Sequence, residues 1–71
     1  MREVRSLEVG DIVRFNYGID NFIKAVVLAV EVHTTWTKVT FRDYVTNHKR
    51  TTWLYTDAGI EWLGREDERT D

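Results

Sequence analysis

Residues 22–33 read Phe-Ile-Lys-Ala-Val-Val-Leu-Ala-Val-Glu-Val-His and carry the longest concentration of apolar side chains in the chain. A helix is the competing interpretation, because alanine and leucine favour helices. The four valines and the isoleucine favour a strand, because branched side chains pack well on a pleated surface. Residues 25–30 are apolar on both faces of such a strand. We therefore expect a strand buried on both sides, as occurs where a sheet curls over itself.

Shorter strand patterns lie on either side of this segment. Val9-Gly10-Asp11 is a turn signal, and after it Val13, Phe15 and Tyr17 alternate with polar residues. A single 3₁₀ turn is an option near residues 57–59. The predicted strands are residues 12–17, 22–33, 36–46, 49–56 and 60–63. The predicted core consists of Val13, Phe15, Val26, Leu28, Val30, Val39, Phe41, Leu54, Ile60 and Leu63.

Five short strands without a convincing helix predict an all-β fold, a single small barrel. Closure of a barrel also reduces the number of exposed strand edges. A chain of 71 residues has room for one domain only. We assign residues 1–64 to the barrel and residues 65–71 to a short, charged and disordered acidic tail.

Charge and composition restrict the classes of function. Without cysteine, the chain forms no disulfide and no cysteine-based metal site. The formal net charge is -2, which gives no general support for nucleic-acid binding. The longest apolar run, residues 25–30, is far shorter than the roughly 20 residues of a membrane span. The sequence therefore predicts a cytoplasmic protein without a membrane segment or a signal peptide.

Catalytic residues do not assemble into a recognisable set. The aspartates lie near turns, where such side chains usually bind local backbone. Ser6 is the only serine, and His33 and His48 lie near strand ends without nearby cysteines or paired acids. We therefore predict a protein that is not an enzyme and that needs no metal and no cofactor.

The order of the elements resembles a small SH3-like barrel and, within that class, a Tudor domain. The resemblance runs from Val9 to Leu63 and rests on three local patterns. These are Val9-Gly10-Asp11-Ile12-Val13, Lys24-Ala25-Val26-Val27 and Val39-Thr40-Phe41-Arg42-Asp43-Tyr44. It implies a five-stranded barrel that binds its ligand on an aromatic surface.

Tudor domains often bind methylated lysine or arginine in an aromatic cage, where a cation lies against π faces. The resemblance places Tyr17, Phe41 and Tyr44 on cage positions, and the fourth position falls on Ile23, or on Phe22 if the alignment shifts by one residue. Phe41 and Tyr44 are three residues apart and face opposite ways in a regular strand. The alternative is that Phe41 belongs to the core, that Tyr17 lies half-buried at a rim and that Tyr44 covers the hairpin.

The predicted function is a non-catalytic interaction module whose partner is a protein or a peptide. The predicted surface is an aromatic rim of Tyr17, Phe22, Tyr44 and Trp53. The alternative is weak nucleic-acid binding by a basic hairpin, as in KOW-type barrels. That hairpin carries Arg42, His48, Lys49 and Arg50.

Three tryptophans exceed what a core of this size holds easily, so we expect at least one to be partly exposed. Tryptophan is favoured at binding hot spots. An exposed tryptophan is equally compatible with a dimer interface, and we expect a monomer or a weak homodimer.

Overall fold

The computed structural model describes residues 1–18 and 20–66, with the backbone alone for residues 17 and 18. These residues form one antiparallel sheet of six strands, in the order β1-β6-β2-β3-β4-β5. A 3₁₀ turn, Val4–Ser6, follows the first strand. The strands are β1 (Arg2–Glu3), β2 (Asp11–Gly18), β3 (Asn21–Val32), β4 (Trp36–Asp43), β5 (Lys49–Tyr55) and β6 (Gly59–Arg65).

The prediction of an all-β chain is confirmed, and each of the five predicted strands corresponds to one of β2–β6. The prediction of five strands is wrong by one, because β1 was missed. This strand has only two residues, and its pairing of Arg2 with Ile60 joins distant parts of the chain. The sheet is also not closed, since β5 and β1 lie at its opposite ends.

The central strand β3 contains a bulge at Leu28. Val27 pairs with Phe41, but the next pair along the strand is Ala29 with Thr40. The extra residue reverses the alternation, so Ala25 and Val27 face the core before the bulge and Val30 faces it afterwards. Burial on both faces, expected for this strand, is confirmed by Ala25, Val26 and Val27, which are all at most 1% exposed.

A second bulge occurs in β6, where Ile12 pairs with Gly64 and Val13 pairs with Trp62. Leu63 lies between these pairs and is 45% exposed, so its assignment to the core is wrong. The φ angle of Gly64 is 141°, a conformation that side chains with a Cβ rarely adopt. β6 continues to Arg65, one residue past the predicted boundary, and residues 67–71 of the predicted tail lie outside the described residues.

The core lies inside the curl of the sheet, where the rings of Phe15 and Phe41 meet at 4.8 Å between centroids. Of the ten predicted core residues, Leu28, Val30 and Leu54 are only half-buried. The predicted residues that are buried are Val13, Phe15, Val26, Val39, Phe41 and Ile60. The core also includes Val4, Leu7, Ile12, Ala25 and Val27, which were not predicted.

Asp11 ties the two ends of the chain to the start of β2. Its carboxylate is fully buried and accepts hydrogen bonds from the Glu8 backbone N–H at 2.7 Å and the Trp62 indole at 3.1 Å. The Arg65 guanidinium donates to the same carboxylate at 3.1 Å, and that of Arg2 lies 3.7 Å away. The aspartate expected to bind local backbone therefore also joins β1 and β6 to β2.

The 3₁₀ turn brings the two ends of the sheet close together without closing it. The N–H of Val4 donates to the carbonyl of Ala58 at 2.8 Å, and that of Arg5 donates to Thr56 at 3.1 Å. Residues 56 and 58 lie in the turn after β5 rather than in the strand itself. In the part of the chain described, β5 therefore keeps one edge without a partner strand.

Candidate binding surface

The four residues of the predicted rim do not lie together. Phe22 is exposed near the start of β3, and Tyr44 directly follows β4. Trp53 pairs with Lys38, which lies five residues before the end of β4, a distance of roughly 17 Å along an extended strand. The side chain of Tyr17 lies outside what the structure describes. Trp53 is therefore separated from the other rim residues whose side chains are described.

Phe22 and Tyr44 already have cationic neighbours from the same chain. The guanidinium of Arg14 lies 4.3 Å from the centroid of the Phe22 ring. The Lys24 ammonium lies 4.8 Å from that of Tyr44. Phe41 is only 2% exposed, so it belongs to the core and not to an accessible cage. An external methylated cation would compete with these internal contacts.

Trp53 instead lies within a group of aromatic side chains on the outer face of the sheet. Trp36 and Tyr55 are paired directly across β4 and β5, and their rings stack at 4.3 Å with 20° between the planes. The ring of Trp53 lies 5.5 Å from that of His33. We refer to His33, Trp36, Trp53 and Tyr55 as the aromatic face.

The aromatic face is exposed despite its apolar character. Trp36 is 42% exposed, Trp53 50% and Tyr55 56%, which confirms that at least one tryptophan lies partly outside the core. A groove of about 380 Å³ runs between the rings of Trp36 and Trp53. Large aromatic surface in water is unfavourable for a domain this small, which makes this face the largest exposed aromatic feature among the described residues to account for.

Alternation in β5 produces this arrangement. Lys49, Thr51, Trp53 and Tyr55 point to the outer face, whereas Leu54 packs against the core. The spacing of Trp53 and Tyr55 in the sequence indicates that they share a face. The contribution of Trp36 depends on the pairing register of β4 with β5, which neither strand's residues indicate on their own.

Buried threonines fix the strand ends beneath the aromatic face. The hydroxyl of Thr56 donates to the carbonyl of His33 at 2.8 Å and lies 3.0 Å from the hydroxyl of Thr37. The Thr56 N–H also donates to the carbonyl of Thr35. These bonds connect the ends of β3, β4 and β5, so the aromatic side chains stand on a well-fixed backbone.

Charged groups border the aromatic face. Lys38 is opposite Trp53 in the sheet. At the end of the neighbouring strand β3, the Nε2 of His33 lies 2.7 Å from a carboxylate oxygen of Glu31. The hydrogen bond to His33 holds the pKa of Glu31 below its ordinary value. Lys38 therefore lies between Trp53 and the Glu31–His33 pair, and Glu31 is its direct partner across β3 and β4.

The basic hairpin is divided by the structure. Arg42 is half-buried and donates to Asn47 at 2.6 Å and to Glu66 at 3.2 Å. Lys49 pairs with Arg42 and lies on the same face of the sheet, whereas Arg50 lies on the opposite face. His48 is exposed in the turn. The four residues therefore do not form one uniformly basic surface.

Asp43 organises the turn of this hairpin. One carboxylate oxygen accepts the N–H of Val45 at 2.8 Å and that of Thr46 at 3.1 Å. These two backbone hydrogen bonds, the first being the larger cause, lower the pKa of Asp43 below its ordinary value of 3.8. The charged form of the side chain therefore stabilises the fold.

The low pKa of Asp43 predicts a pH-dependent stability. The charge of Asp43 contributes its full stabilisation above pH 3.8, the pKa of the carboxyl in the unfolded chain. This stabilisation is lost as the pH falls through the lower pKa of the folded protein. We expect Asp43→Asn to have a lower melting temperature than the wild type at pH 7. Thermal melts between pH 2 and pH 7 should show this gap closing at the acidic end. A gap of equal size at pH 2 would contradict the role assigned to the charge.

A partly open cavity of about 260 Å³, with both apolar and polar residues in its lining, lies where β2 and β6 separate. Phe15, Leu54 and Ile60 line its wall, and an Arg14–Glu61 ion pair at 4.0 Å lies at its mouth. Among the described residues, no group of three histidine, aspartate or glutamate side chains is placed to hold a metal ion.

Comparisons with known protein families, characterised proteins and solved structures find no significant match to the chain. Within residues 1–18 and 20–66, no helix is long and apolar enough to cross a bilayer. Inferences about function therefore rest on the geometry of the surface.

Proposed function

We propose that this protein is a non-catalytic binding module and that a protein or peptide partner docks on the aromatic face. The observation that carries the proposal is the exposure of Trp36, Trp53 and Tyr55, each at least 42% exposed, on one face of the sheet. Tryptophan and tyrosine dominate binding hot spots because they bury a large area at a low entropic cost.

The surroundings of the aromatic face favour a particular chemistry in the partner. The groove between Trp36 and Trp53 accommodates an apolar side chain. Lys38 lies beside Trp53, and Lys49 is exposed four residues before it on the same face. We therefore propose a peptide segment in which an apolar or aromatic residue lies close to acidic residues.

Selection from a random peptide display library tests the proposal and requires no candidate partner. The wild type serves as bait, and each enriched peptide is then tested for binding to the Trp53→Ala variant. Enrichment of apolar peptides with neighbouring acidic residues is the expected outcome. Enrichment of sequences that bind both proteins equally would contradict docking at this face.

Nucleic-acid binding is the second candidate, favoured by the lysines beside Trp53. Single strands are bound by stacking bases on aromatic rings along a basic groove. The basic residues near this face are partly neutralised, because Arg42 pairs with Glu66 and the net charge of the chain is -2. The peptide proposal therefore predicts little affinity for an oligonucleotide.

Fluorescence anisotropy with labelled single-stranded oligonucleotides of mixed sequence checks this prediction at low salt. We expect no saturable binding at protein concentrations up to about 100 μM, weaker than typical non-specific binding. Saturable binding that salt weakens, and that Lys49→Ala/Arg50→Ala removes, would support the nucleic-acid alternative instead.

The order of the strands also supports a proposal about the fold family. We infer that the open sheet is a variant of the SH3-like barrel, of the Tudor-like kind suggested by residues 9–13, 24–27 and 39–44. The succession β2–β6 and the 3₁₀ turn that links the two ends of the sheet support this inference. The proposed ligand is not a methylated residue, because Phe41 is buried against Phe15.

A further inference from the structure

The edge strand β5 has a second feature that the aromatic face does not use. It lies at one end of the sheet, and no described strand pairs with its outer edge. An exposed edge presents backbone donors and acceptors that another strand can bind. In this chain the edge comprises seven residues, Lys49–Tyr55.

The hydrogen-bond pattern shows which backbone groups point outwards. The N–H of Thr56 donates to Thr35, and the N–H of Asp43 donates to His48, at the two ends of the β4–β5 ladder. Because hydrogen-bonded and non-hydrogen-bonded pairs alternate, residues 50, 52 and 54 bond to β4. The outward-pointing backbone groups belong to Lys49, Thr51, Trp53 and Tyr55, and of these the Tyr55 carbonyl already accepts the N–H of Ala58 at 3.0 Å.

We propose that β5 pairs with β5 of a second copy of this chain, antiparallel and centred on Thr52. A two-fold symmetric contact requires an antiparallel arrangement of the same strand. Centring on Thr52 uses all seven residues of the strand, since it pairs residue 49 with 55, 50 with 54 and 51 with 53. Residues 51 and 53 then exchange backbone hydrogen bonds between the copies, and the N–H of Tyr55 donates to the carbonyl of Lys49 in the other copy.

The distribution of charge along β5 favours this self-pairing. Lys49 and Arg50 occupy one end, and residues 51–55 carry no charge. In the antiparallel arrangement, Lys49 lies opposite Tyr55 of the second copy and Arg50 lies opposite Leu54. The two basic ends are then roughly 20 Å apart, which reduces their repulsion. A parallel arrangement in register would instead place like charges against each other.

This dimer goes beyond the proposed function and does not depend on it. Edge pairing continues the sheet and leaves the outer face of each copy open. Trp53 would lie opposite Thr51 of the second copy, so the two aromatic faces would become neighbours on one surface. A contact made by seven residues of one strand is small, and we expect a weak dimer that depends on concentration.

Sedimentation equilibrium between 10 μM and 1 mM measures the association directly. Thr51→Pro removes an N–H that points away from β4, so the hydrogen bonds between β4 and β5 are kept. We expect it to weaken the dimer at least tenfold, whereas Thr51→Ala, which keeps the N–H, dimerises like the wild type. A wild type that is monomeric at 1 mM would overturn the dimer. Equal association of the proline and alanine variants would overturn the use of this edge.

Single cysteines test the register, since the chain has no cysteine of its own. At the two-fold axis, residue 52 faces its own copy at about 4.5 Å between Cα atoms, within disulfide range. We expect Thr52→Cys to form a disulfide-linked dimer in a glutathione buffer at least tenfold more readily than Thr51→Cys. Preferential linkage of Thr51→Cys, or equal linkage of both, would overturn the register centred on Thr52.

Discussion

Replacement of Asp11 by alanine is expected to destabilise the fold by about 3 kcal/mol, because a buried charge pair loses one member. The substitution leaves the Trp62 indole N–H, the Arg65 guanidinium and the Glu8 backbone N–H without their shared acceptor. Each buried donor without a partner is costly. In a domain of this size, the effect corresponds to a fall of roughly 15 °C in the melting temperature.

Thermal and urea unfolding followed by circular dichroism measure the loss at Asp11. Asp57→Ala is the matched control, because Asp57 is an exposed aspartate in a turn, and we expect a change within about 0.5 kcal/mol. Asp11→Asn keeps one carbonyl oxygen as an acceptor, so its stability should lie between those of Asp11→Ala and Asp57→Ala. An Asp11→Ala variant as stable as the control would show that the cluster does not hold β1 and β6 to β2.

Truncation of Trp53 to alanine is expected to weaken binding of a selected peptide about 30-fold, the effect of losing a hot-spot side chain worth about 2 kcal/mol. Trp53 forms one wall of the groove, and its ring is half exposed before any partner binds. We therefore expect Trp53→Ala to lower the affinity for the peptide while changing the stability of the fold only slightly. Tryptophan fluorescence or calorimetric titration measures the affinity.

Phe22→Ala is the matched control for Trp53→Ala. Phe22 has almost the same exposure, 49% against 50%, but lies outside the aromatic face. We expect its affinity for the same peptide to remain within about twofold of the wild type. Equal losses in the two variants would place the partner elsewhere or across the whole outer surface.

Strand identity was predictable from local pattern, but the face assignments within strands were not. The valines of β3 favour a strand wherever it lies in the sheet. The bulge at Leu28 reverses the faces in the middle of that strand. Strict alternation therefore placed Val26 and Val30 on one face, and the pairing separates them. A bulge depends on the neighbouring strand, so a single strand's sequence carries little sign of it.

The contact made by the N-terminus depends on interactions between distant residues. Val4 is 1% exposed, although it lies in a charged segment with no strand-like alternation. Its burial follows from the hydrogen bond to Ala58 and from the pairing of Arg2 with Ile60. Both contacts join residues that lie more than 50 positions apart, so a short window of sequence does not indicate them.

The candidate surface was only partly predictable. The sequence indicated an excess of aromatic side chains over the core and identified Trp53 as a surface residue. It grouped Trp53 with Tyr17, Phe22 and Tyr44, because the resemblance to a Tudor domain suggested those three positions and Trp53 follows the same hairpin as Tyr44. The register that pairs Trp36 with Tyr55 creates the observed aromatic face. Register depends on loop length and on packing against the next strand.

The three tryptophan indole N–H signals in a nitrogen–proton correlation spectrum test the central proposal most directly. Trp36 and Trp53 belong to the aromatic face, whereas the indole of Trp62 is bound to Asp11 and serves as an internal control. On titration with a selected peptide, we predict shifts for Trp36 and Trp53 and a stationary Trp62 signal. Shifts confined to Trp62, or to residues lining the cavity beside Phe15, would contradict docking on the aromatic face.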